Sequence, residues 1–329
     1  MRDVCVLGLG LLGGSVLRAA VKAGYTVWGA APGDDAAAAR AAGFDATSDP
    51  AHALRRAATT DALVVLAVPL PAVDELLTLV ARHAPQCLLT DVTSVKAPVA
   101  AAVRERVPNV RYAGGHPMAG TTESGWAAAD ETLFDGANWA LCVDEDTDLA
   151  AWQEAATLAL ATGAAVCPTP TTEHDDTVAR ISHLPHLLAE VLATVAAQGG
   201  PLAASLAAGS LRDGTRVAGT RPELVRAMTE GNREALLGVL DEALGQLGAA
   251  RGSLASTGGL AATIDAGHAG VATLAQHATR PRVQLGIDLE AADARTGLAA
   301  LGSRGGRVTS IDGNIVTAEA PQFDADQHR

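Results

Sequence analysis

The sequence contains few aromatic residues and little lysine. Phe, Trp and Tyr make up 3% of its 329 residues, and Phe323 is the only aromatic residue after Trp152. The hydrophobic fraction is still 48%, most of it Ala, Leu and Val. The second half must therefore pack through small aliphatic side chains, which suits close contact between helices.

Cysteine is also scarce. Cys5, Cys87, Cys142 and Cys167 show no CxxC spacing and lie in or beside apolar segments that we expect to be buried strands. We interpret them as reduced core thiols rather than metal ligands or disulfide partners. This cysteine usage indicates the cytoplasm.

Positive charge is outnumbered, with a formal net charge of -13. This balance argues against nucleic acid or an anionic membrane as a partner. Met1-Arg2-Asp3 leads directly into an apolar strand with no charged-then-apolar leader, and no apolar stretch is long enough to span a bilayer. We expect a cytoplasmic protein that binds a small molecule, with local positive residues if that molecule is an anion.

A glycine fingerprint follows the first apolar strand. Gly8-Leu9-Gly10-Leu11-Leu12-Gly13 opens a helix, as a dinucleotide-binding turn requires. Gly8 permits the tight turn, Gly10 lets the backbone approach a pyrophosphate, and Gly13 lets the helix pack against the sheet. The positive end of the helix dipole then faces the phosphates. An ordinary glycine-rich loop is the alternative, and the strand and helix on either side argue against it.

Apolar strands alternate with helices through the first half of the chain. This alternation predicts βαβ units and a mostly parallel sheet that ends near Ala164. The expected strands are 3–7, 25–29, 61–68, 87–91, 110–113, 139–143 and 164–168. We therefore expect an α/β fold with a Rossmann-like dinucleotide-binding domain over residues 1–170.

Long helices dominate from Thr171 onward. They are expected at 171–197, 233–254 and 260–277, and they predict an all-helical domain over residues 171–278. Residues 279–329 differ again: a strand at 282–287, a helix at 289–301 and a hairpin at 308–318 predict a small α+β appendage of unknown role. Residues after about Pro321 are expected to be disordered.

The cofactor preference depends on the end of the second strand. Ala31 stands where an acidic residue usually binds the ribose 2′-hydroxyl of NAD. No basic residue for the 2′-phosphate of NADP is near, because Arg40 is a helical turn or more beyond, and Asp34 and Asp35 would repel that phosphate. NAD is favoured, and NADP remains the alternative.

Two polar segments follow successive strands at the edge where such sheets bind ligands. The first is Thr90-Asp91-Val92-Thr93-Ser94-Val95-Lys96, and the second is Gly115-His116-Pro117-Met118. A histidine at that edge can act as a base near neutral pH, and a nearby serine could orient it. A histidine that only caps the loop is the alternative.

The helical half carries two further motifs. His183 and His186 share one helix face, with Pro185 loosening the helix between them. A metal pair is the rival interpretation, but no further ligand has suitable spacing, so no metal site is expected. Arg216 could grip a carboxylate with two hydrogen bonds, or it could be an ordinary solvated arginine.

Together these motifs resemble the prephenate dehydrogenase family. The matching segments occur in the family's order and cover about residues 1–278: Gly8–Ser15, Asp91–Lys96, Gly115–Thr121, Ser182–His186, Arg212–Arg216 and Asn232–Glu234. The resemblance implies an enzyme of tyrosine biosynthesis that oxidatively decarboxylates prephenate to 4-hydroxyphenylpyruvate with NAD(P). It also implies a homodimer formed through the helical domain.

The resemblance also implies roles for individual residues. His116 would accept the proton of the ring C4 hydroxyl, and Ser94 would orient His116 and that hydroxyl. The substrate would be bound by Arg216, His186, His183 and Thr121. The cofactor would lie against Gly8, Gly10, Leu11, Leu12, Gly13, Ala31, Val68 and Thr93.

Three alternatives remain at this point. Leu211 stands where an aromatic residue is common in the family, which leaves arogenate or dual cyclohexadienyl specificity open. A hydroxyacid dehydrogenase with a lysine base in the helical domain is disfavoured, because no lysine follows Lys96. A non-catalytic protein that senses NAD is disfavoured by the Ser94 and His116 pair and by the lack of a basic face.

Overall fold

The computed structural model describes residues 1–121 and 123–322. Strands and helices alternate up to residue 113: β1 (Val4–Leu7), α1 (Leu11–Lys22), β2 (Val27–Ala30), α2 (Asp34–Ala41), β3 (Ala46–Thr47), α3 (Pro50–Thr60), β4 (Leu63–Leu66), α4 (Leu70–His83), β5 (Leu88–Asp91), α5 (Ala97–Arg106) and β6 (Arg111–Ala113). The six strands pair in parallel in the order β3-β2-β1-β4-β5-β6. This is the doubly wound arrangement that the sequence predicts, and ligands of such sheets bind at the carboxyl ends of the strands.

The first sheet is buried on both faces, which explains why its strands are continuously apolar. Along β1, Val4 and Val6 belong to one core cluster while Cys5 and Leu7 belong to the other. Successive side chains of a strand point to opposite faces, so each strand contributes to both cores. The sheet is thereby held rigidly at the edge where the polar loops emerge.

The chain next forms a second sheet. Its first strands are β7 (Gly115–Pro117), β8 (Asn138–Cys142) and β9 (Ala165–Thr169), with α6 (Leu149–Ala161) between the last two. Because β7 pairs antiparallel with β8, these strands do not continue the parallel sheet. The prediction of a single sheet ending near Ala164 is therefore wrong. Hydrophobic pattern identifies strands but does not say which strands pair.

Helices follow from Thr171, as the sequence predicts. They are α7 (Thr171–Val178), α8 (Leu184–Ala197), α9 (Gly200–Leu206), α10 (Gly209–Thr215), α11 (Pro222–Gly231), α12 (Arg233–Thr257) and α13 (Ala261–Thr279). A π-helical turn, Ala179–His183, joins α7 to α8, and a 3₁₀ turn, Arg216–Gly219, follows α10. These helices leave many large apolar side chains exposed, including Val191, Val195, Leu202, Leu206 and Leu247.

The helices also bear on the question of a membrane span. Within residues 1–121 and 123–322, no single helix is long and apolar enough to cross a bilayer. One bent pair, Thr171–Ala197 with Gly200–Leu206, meets the length and composition test jointly, at an angle of 118° between its parts.

The C-terminal segment forms the expected βαββ unit: β10 (Arg282–Asp288), α14 (Ala294–Ser303), β11 (Arg307–Asp312) and β12 (Ile315–Pro321). It completes the second sheet, whose strand order is β10-β12-β11-β9-β8-β7. Packing against β9 is tight, because a Cβ added at Gly302 would lie 1.5 Å from the Pro168 carbonyl oxygen. The expected disorder beyond Pro321 concerns residues 323–329, which lie outside the described part of the chain.

Candidate active site

The turn between β1 and α1 needs glycine at two of its positions. Gly8 has a φ of +102°, and a Cβ there would lie 2.2 Å from the Ala67 carbonyl oxygen. A Cβ at Gly13 would lie 1.9 Å from the Gly8 carbonyl oxygen. Backbone atoms cannot yield to such contacts without moving the turn, so both glycines are steric requirements of the fold.

The same turn is open at Gly10, where an added Cβ would meet no atom within 4 Å. Helix α1 begins at Leu11 and has no side-chain cap. The first-turn N–H groups of Leu11 and Leu12 have no partner within the helix and carry its positive dipole. Open space before uncapped N–H groups is the arrangement that holds a dinucleotide pyrophosphate.

Two alanine substitutions separate these roles. We expect Gly13→Ala to lower the free energy of unfolding by about 1–3 kcal/mol, because the new methyl overpacks the turn. Gly10→Ala should leave stability unchanged and weaken dinucleotide binding about tenfold or more, because the methyl enters the phosphate space. Urea denaturation and a dinucleotide titration measure the two effects. Wild-type affinity in Gly10→Ala would contradict this assignment.

The other expected cofactor residues lie at the same edge of the sheet. Val68 follows β4 and lies against Gly8, where its Cγ1 is 2.8 Å from an added Cβ. Thr93 follows β5 and is buried, and its hydroxyl has no hydrogen-bond partner among the described residues. An unpartnered buried hydroxyl needs a donor or acceptor from outside the protein, which fits a bound cofactor.

The end of β2 bears on the choice between NAD and NADP. Ala31 is buried and contributes no polar group. Nearby, the Asp35 carboxylate accepts the N–H of Trp126 at 2.8 Å. Arg40 donates to the Ala46 carbonyl oxygen at 3.2 Å rather than facing this strand end. Asp35 therefore brings a negative charge close to this strand end and Arg40 brings no positive charge to it, which disfavours a 2′-phosphate.

His116 lies in β7, at the point where the chain passes from the first sheet to the second. Its half-buried ring places Nδ1 3.0 Å from Nε2 of His174, and Nδ1 of His174 lies 2.8 Å from Oδ1 of Asp175. Burial lowers the pKa of His116 well below the usual imidazole value, and nearby His174, Lys96 and His183 lower it further. His116 is therefore neutral near pH 7 and able to accept a proton.

The pair His174 and Asp175 was not predicted as part of the site. The sequence analysis assigns neither side chain a role in catalysis or binding. A signal was present, since adjacent His and Asp side chains at the start of the helix that carries His183 form a polar pair in a buried segment. Spacing alone did not show that this segment packs against His116.

A buried ionic network fixes the strand that carries His116. The Lys96 ammonium donates to the Asp91 carboxylate and to the Gly115 carbonyl oxygen, the latter at 2.6 Å. The Tyr112 hydroxyl donates to the other Asp91 oxygen at 2.6 Å. Lys96 and Asp91 are almost completely buried. The network ties the end of β5 to the backbone beside His116, so the base has a fixed position.

Ser94 is half-buried between β5 and α5. No hydrogen bond joins it to His116 in the part of the chain that the structure describes, where the Nδ1 partner of His116 is His174. The expected orienting hydrogen bond from Ser94 is therefore not present in this structure. A contact of Ser94 with the substrate hydroxyl stays a prediction.

His183 and His186 lie where the helix changes from a π turn to α8. Pro185 has no N–H to donate to the preceding turn, and the helix has a π turn just before it. His183 is buried, and burial lowers its pKa to about 4. Its Nδ1 lies 3.1 Å from Nδ2 of Asn232, while its Nε2 has no partner among the described residues. Nδ1 of His186 donates to the Ser182 carbonyl oxygen at 2.9 Å.

Two of the expected substrate-binding residues make no hydrogen bond to His116, His174 or His183. Arg216 is exposed at the start of the 3₁₀ turn that packs against α8, and it has no ion-pair partner in residues 1–121 and 123–322. Thr121 is exposed, and its hydroxyl accepts the N–H of Glu123 at 3.2 Å. Neither side chain hydrogen-bonds to His116 or His183. Among the described residues, no group of three or more His, Cys, Asp or Glu side chains is arranged to hold a metal ion.

An open phosphate turn and a neutral histidine at the same sheet edge define an oxidoreductase of the two-domain, dinucleotide-binding class. Comparison with models of known protein families identifies the family within this class. The nucleotide-binding domain of prephenate dehydrogenase matches residues 19–168, and the dimerisation domain of prephenate dehydrogenase matches residues 170–258. The chain belongs to the prephenate dehydrogenase family, which confirms the resemblance seen in the sequence.

Individual relatives agree. A crystal structure from Corynebacterium glutamicum, of a protein assigned as a prephenate dehydrogenase, is 43% identical with a TM-score of 0.88, covering 93% of this chain and 98% of that one. Prephenate dehydrogenase of Bacillus subtilis is 34% identical over 74% of this chain and 67% of its own length. Arogenate dehydrogenase of Synechocystis is 27% identical, with a TM-score of 0.68 and coverage of 83% and 99%.

Proposed function

We propose that this protein oxidises and decarboxylates prephenate to 4-hydroxyphenylpyruvate with NAD, as a prephenate dehydrogenase of tyrosine biosynthesis. The observation that carries the proposal is the half-buried His116, which follows β6 at the carboxyl edge of the first sheet, where the open glycine turn also lies. Bound NAD supplies the hydride acceptor. His116 accepts the C4 hydroxyl proton as that carbon loses hydride, and carbon dioxide leaves as the ring becomes aromatic.

The substrate is a dianion, so an acidic protein needs placed donors to bind it. We assign Arg216 to a carboxylate, because its exposed guanidinium has no carboxylate partner among the described residues. His186 and Thr121 are proposed to line the same pocket. Ser94 is proposed to contact the C4 hydroxyl.

His183 is proposed as a neutral hydrogen-bond donor to the substrate. The Asn232 amide nitrogen donates to the Asp175 carbonyl oxygen at 2.7 Å and faces His183 Nδ1 at 3.1 Å. Because an amide nitrogen can only donate, Nδ1 of His183 accepts, and the proton of the neutral ring lies on Nε2. That N–H is buried and has no partner in the described chain, so a substrate oxygen would satisfy it.

NAD is proposed to lie against the β1–α1 turn and the neighbouring strand ends. The residues are Gly8, Gly10, Leu11, Leu12, Gly13, Ala31, Val68 and Thr93. Asp34 and Asp35 near the ribose position support NAD rather than NADP. The exposed apolar faces of α8 and α9 support a homodimer in which a second copy covers them. A cytoplasmic location agrees with four unpaired cysteines, three of them buried.

The test crosses prephenate and arogenate with NAD and NADP and follows reduced cofactor at 340 nm. We expect turnover with prephenate and NAD, and a kcat/KM for NADP at least about tenfold lower because of the two carboxylates. Turnover with arogenate alone would keep the fold and the base but replace the substrate, as the similarity to an arogenate dehydrogenase allows. No turnover in any combination would contradict the proposal.

A further inference from the structure

The Asp175 carboxylate meets only hydrogen-bond donors. Its Oδ1 accepts the N–H of Lys96 at 2.9 Å and lies 2.8 Å from Nδ1 of His174, and its Oδ2 accepts the N–H of Ala97 at 2.8 Å. Burial favours the neutral acid, but the hydrogen bonds from His174, Ala97 and Lys96 hold the pKa of this carboxyl below its usual value. An ionised carboxylate has no proton to give, so Nδ1 of His174 must carry one.

That proton determines the state of the next nitrogen. Burial lowers the pKa of His174, against the raising effect of Asp175, so the ring holds a single proton near pH 7. With the proton on Nδ1, the Nε2 of His174 presents a lone pair. This lone pair lies 3.0 Å from Nδ1 of His116, which must therefore donate to it. A neutral His116 that donates from Nδ1 has a lone pair on Nε2.

We infer that Asp175 and His174 are positioning residues that hold His116 in the Nδ1–H tautomer, with Nε2 free to take the substrate proton. The inference rests on the proposed function for the identity of that proton. These two hydrogen bonds also stabilise the product of the proton transfer, because they connect a positively charged His116 through His174 to the Asp175 carboxylate. A buried aspartate has this role toward a catalytic histidine in Ser-His-Asp hydrolases.

The hydrogen bonds of His116, His174 and Asp175 join the second sheet and helix α7 to the start of α5 in the first sheet. His116 belongs to the second sheet, His174 and Asp175 belong to the first helix after it, and the N–H groups of Lys96 and Ala97 begin α5 of the first sheet. The charged or titratable groups that face His116 are His174, Lys96 and His183. Asp175 acts on the base through its hydrogen bond to His174 rather than directly.

Four variants of the full-length enzyme test the inference by kinetics. His174→Leu and Asp175→Ala should each lower kcat about 100-fold, because His116 is no longer held in the Nδ1–H tautomer. The KM for prephenate and for NAD should change little, because the binding residues are unchanged. His174→Gln should recover about tenfold over His174→Leu, because its amide oxygen can accept from His116. Asp176→Ala is the matched control, since this neighbouring carboxylate is exposed, and it should keep wild-type kcat.

A second readout does not depend on turnover. Long-range ¹H–¹⁵N correlation spectra of histidine-labelled enzyme distinguish the two neutral tautomers of His116 without substrate. We expect Nδ1–H in the wild type and a population of Nε2–H in His174→Leu. An Nε2–H wild-type ring, or unchanged kcat in His174→Leu, would overturn the inference. Absence of any wild-type turnover with prephenate would instead overturn the proposed function, and the spectra would still decide the tautomer if Asp175→Ala failed to fold.

Discussion

His116→Asn should lower kcat with prephenate about 10³- to 10⁴-fold while leaving NAD affinity close to the wild-type value. The asparagine side chain is smaller and cannot accept a proton near neutral pH. The neighbouring Lys96 ammonium cannot replace the base, because the Asp91 carboxylate and the Gly115 carbonyl oxygen hold it. Initial rates of NADH formation and a fluorescence titration with NAD measure the two quantities.

A matched control uses another histidine of the same domain. His52 is exposed on α3, and His52→Asn should keep the wild-type kcat. A near-normal rate in His116→Asn would remove His116 from the role of base. An equal loss of NAD affinity would show that the substitution disturbs the fold rather than the chemistry.

Lys96→Met should lower the free energy of unfolding by about 3–5 kcal/mol, because it leaves the Asp91 carboxylate buried without its cation. The exposed fractions of the two side chains are 1% and 0%, so water cannot replace the lost ammonium. Tyr112 would remain as a neutral donor to Asp91. Urea denaturation gives the free energy.

The comparison for Lys96→Met is Arg106→Met, which breaks the ion pair with Asp74. That pair has an N–O distance of 2.6 Å, but both side chains are about half exposed and solvent screens their attraction, so its loss should destabilise the fold much less than Lys96→Met does. The double variant Lys96→Met with Asp91→Asn should recover part of the loss, because no uncompensated charge stays buried. Equal losses in Lys96→Met and Arg106→Met would contradict the role given to the buried network.

The features that the sequence predicts correctly are those caused by residues close to them in the chain. The glycine turn follows from the contacts that a Cβ would make at Gly8 and Gly13. The weakened helix at Pro185 follows from its missing N–H, and the structure has a π turn there. The hairpin near Gly313 follows from its turn residues, and the structure places it between β11 and β12. In each case the cause lies within a few residues of its effect.

The features that the sequence does not predict depend on distant residues. β9 pairs with β8 in parallel and with β11 in antiparallel orientation, although β11 is more than a hundred residues later. The contact between His116 and His174 likewise joins residues that are 58 positions apart. Residue type made Ser94 the expected partner of His116, and only the packing of α7 against the second sheet identifies His174 instead.

The most direct measurement of the central claim is the stoichiometry of one reaction. Purified enzyme is given limiting prephenate with excess NAD, and NADH, carbon dioxide and 4-hydroxyphenylpyruvate are each quantified. We expect one equivalent of each per prephenate consumed, since hydride loss and decarboxylation complete a single aromatisation. Carbon dioxide without NADH, or consumption of prephenate without 4-hydroxyphenylpyruvate, would contradict the assignment of this protein as a prephenate dehydrogenase.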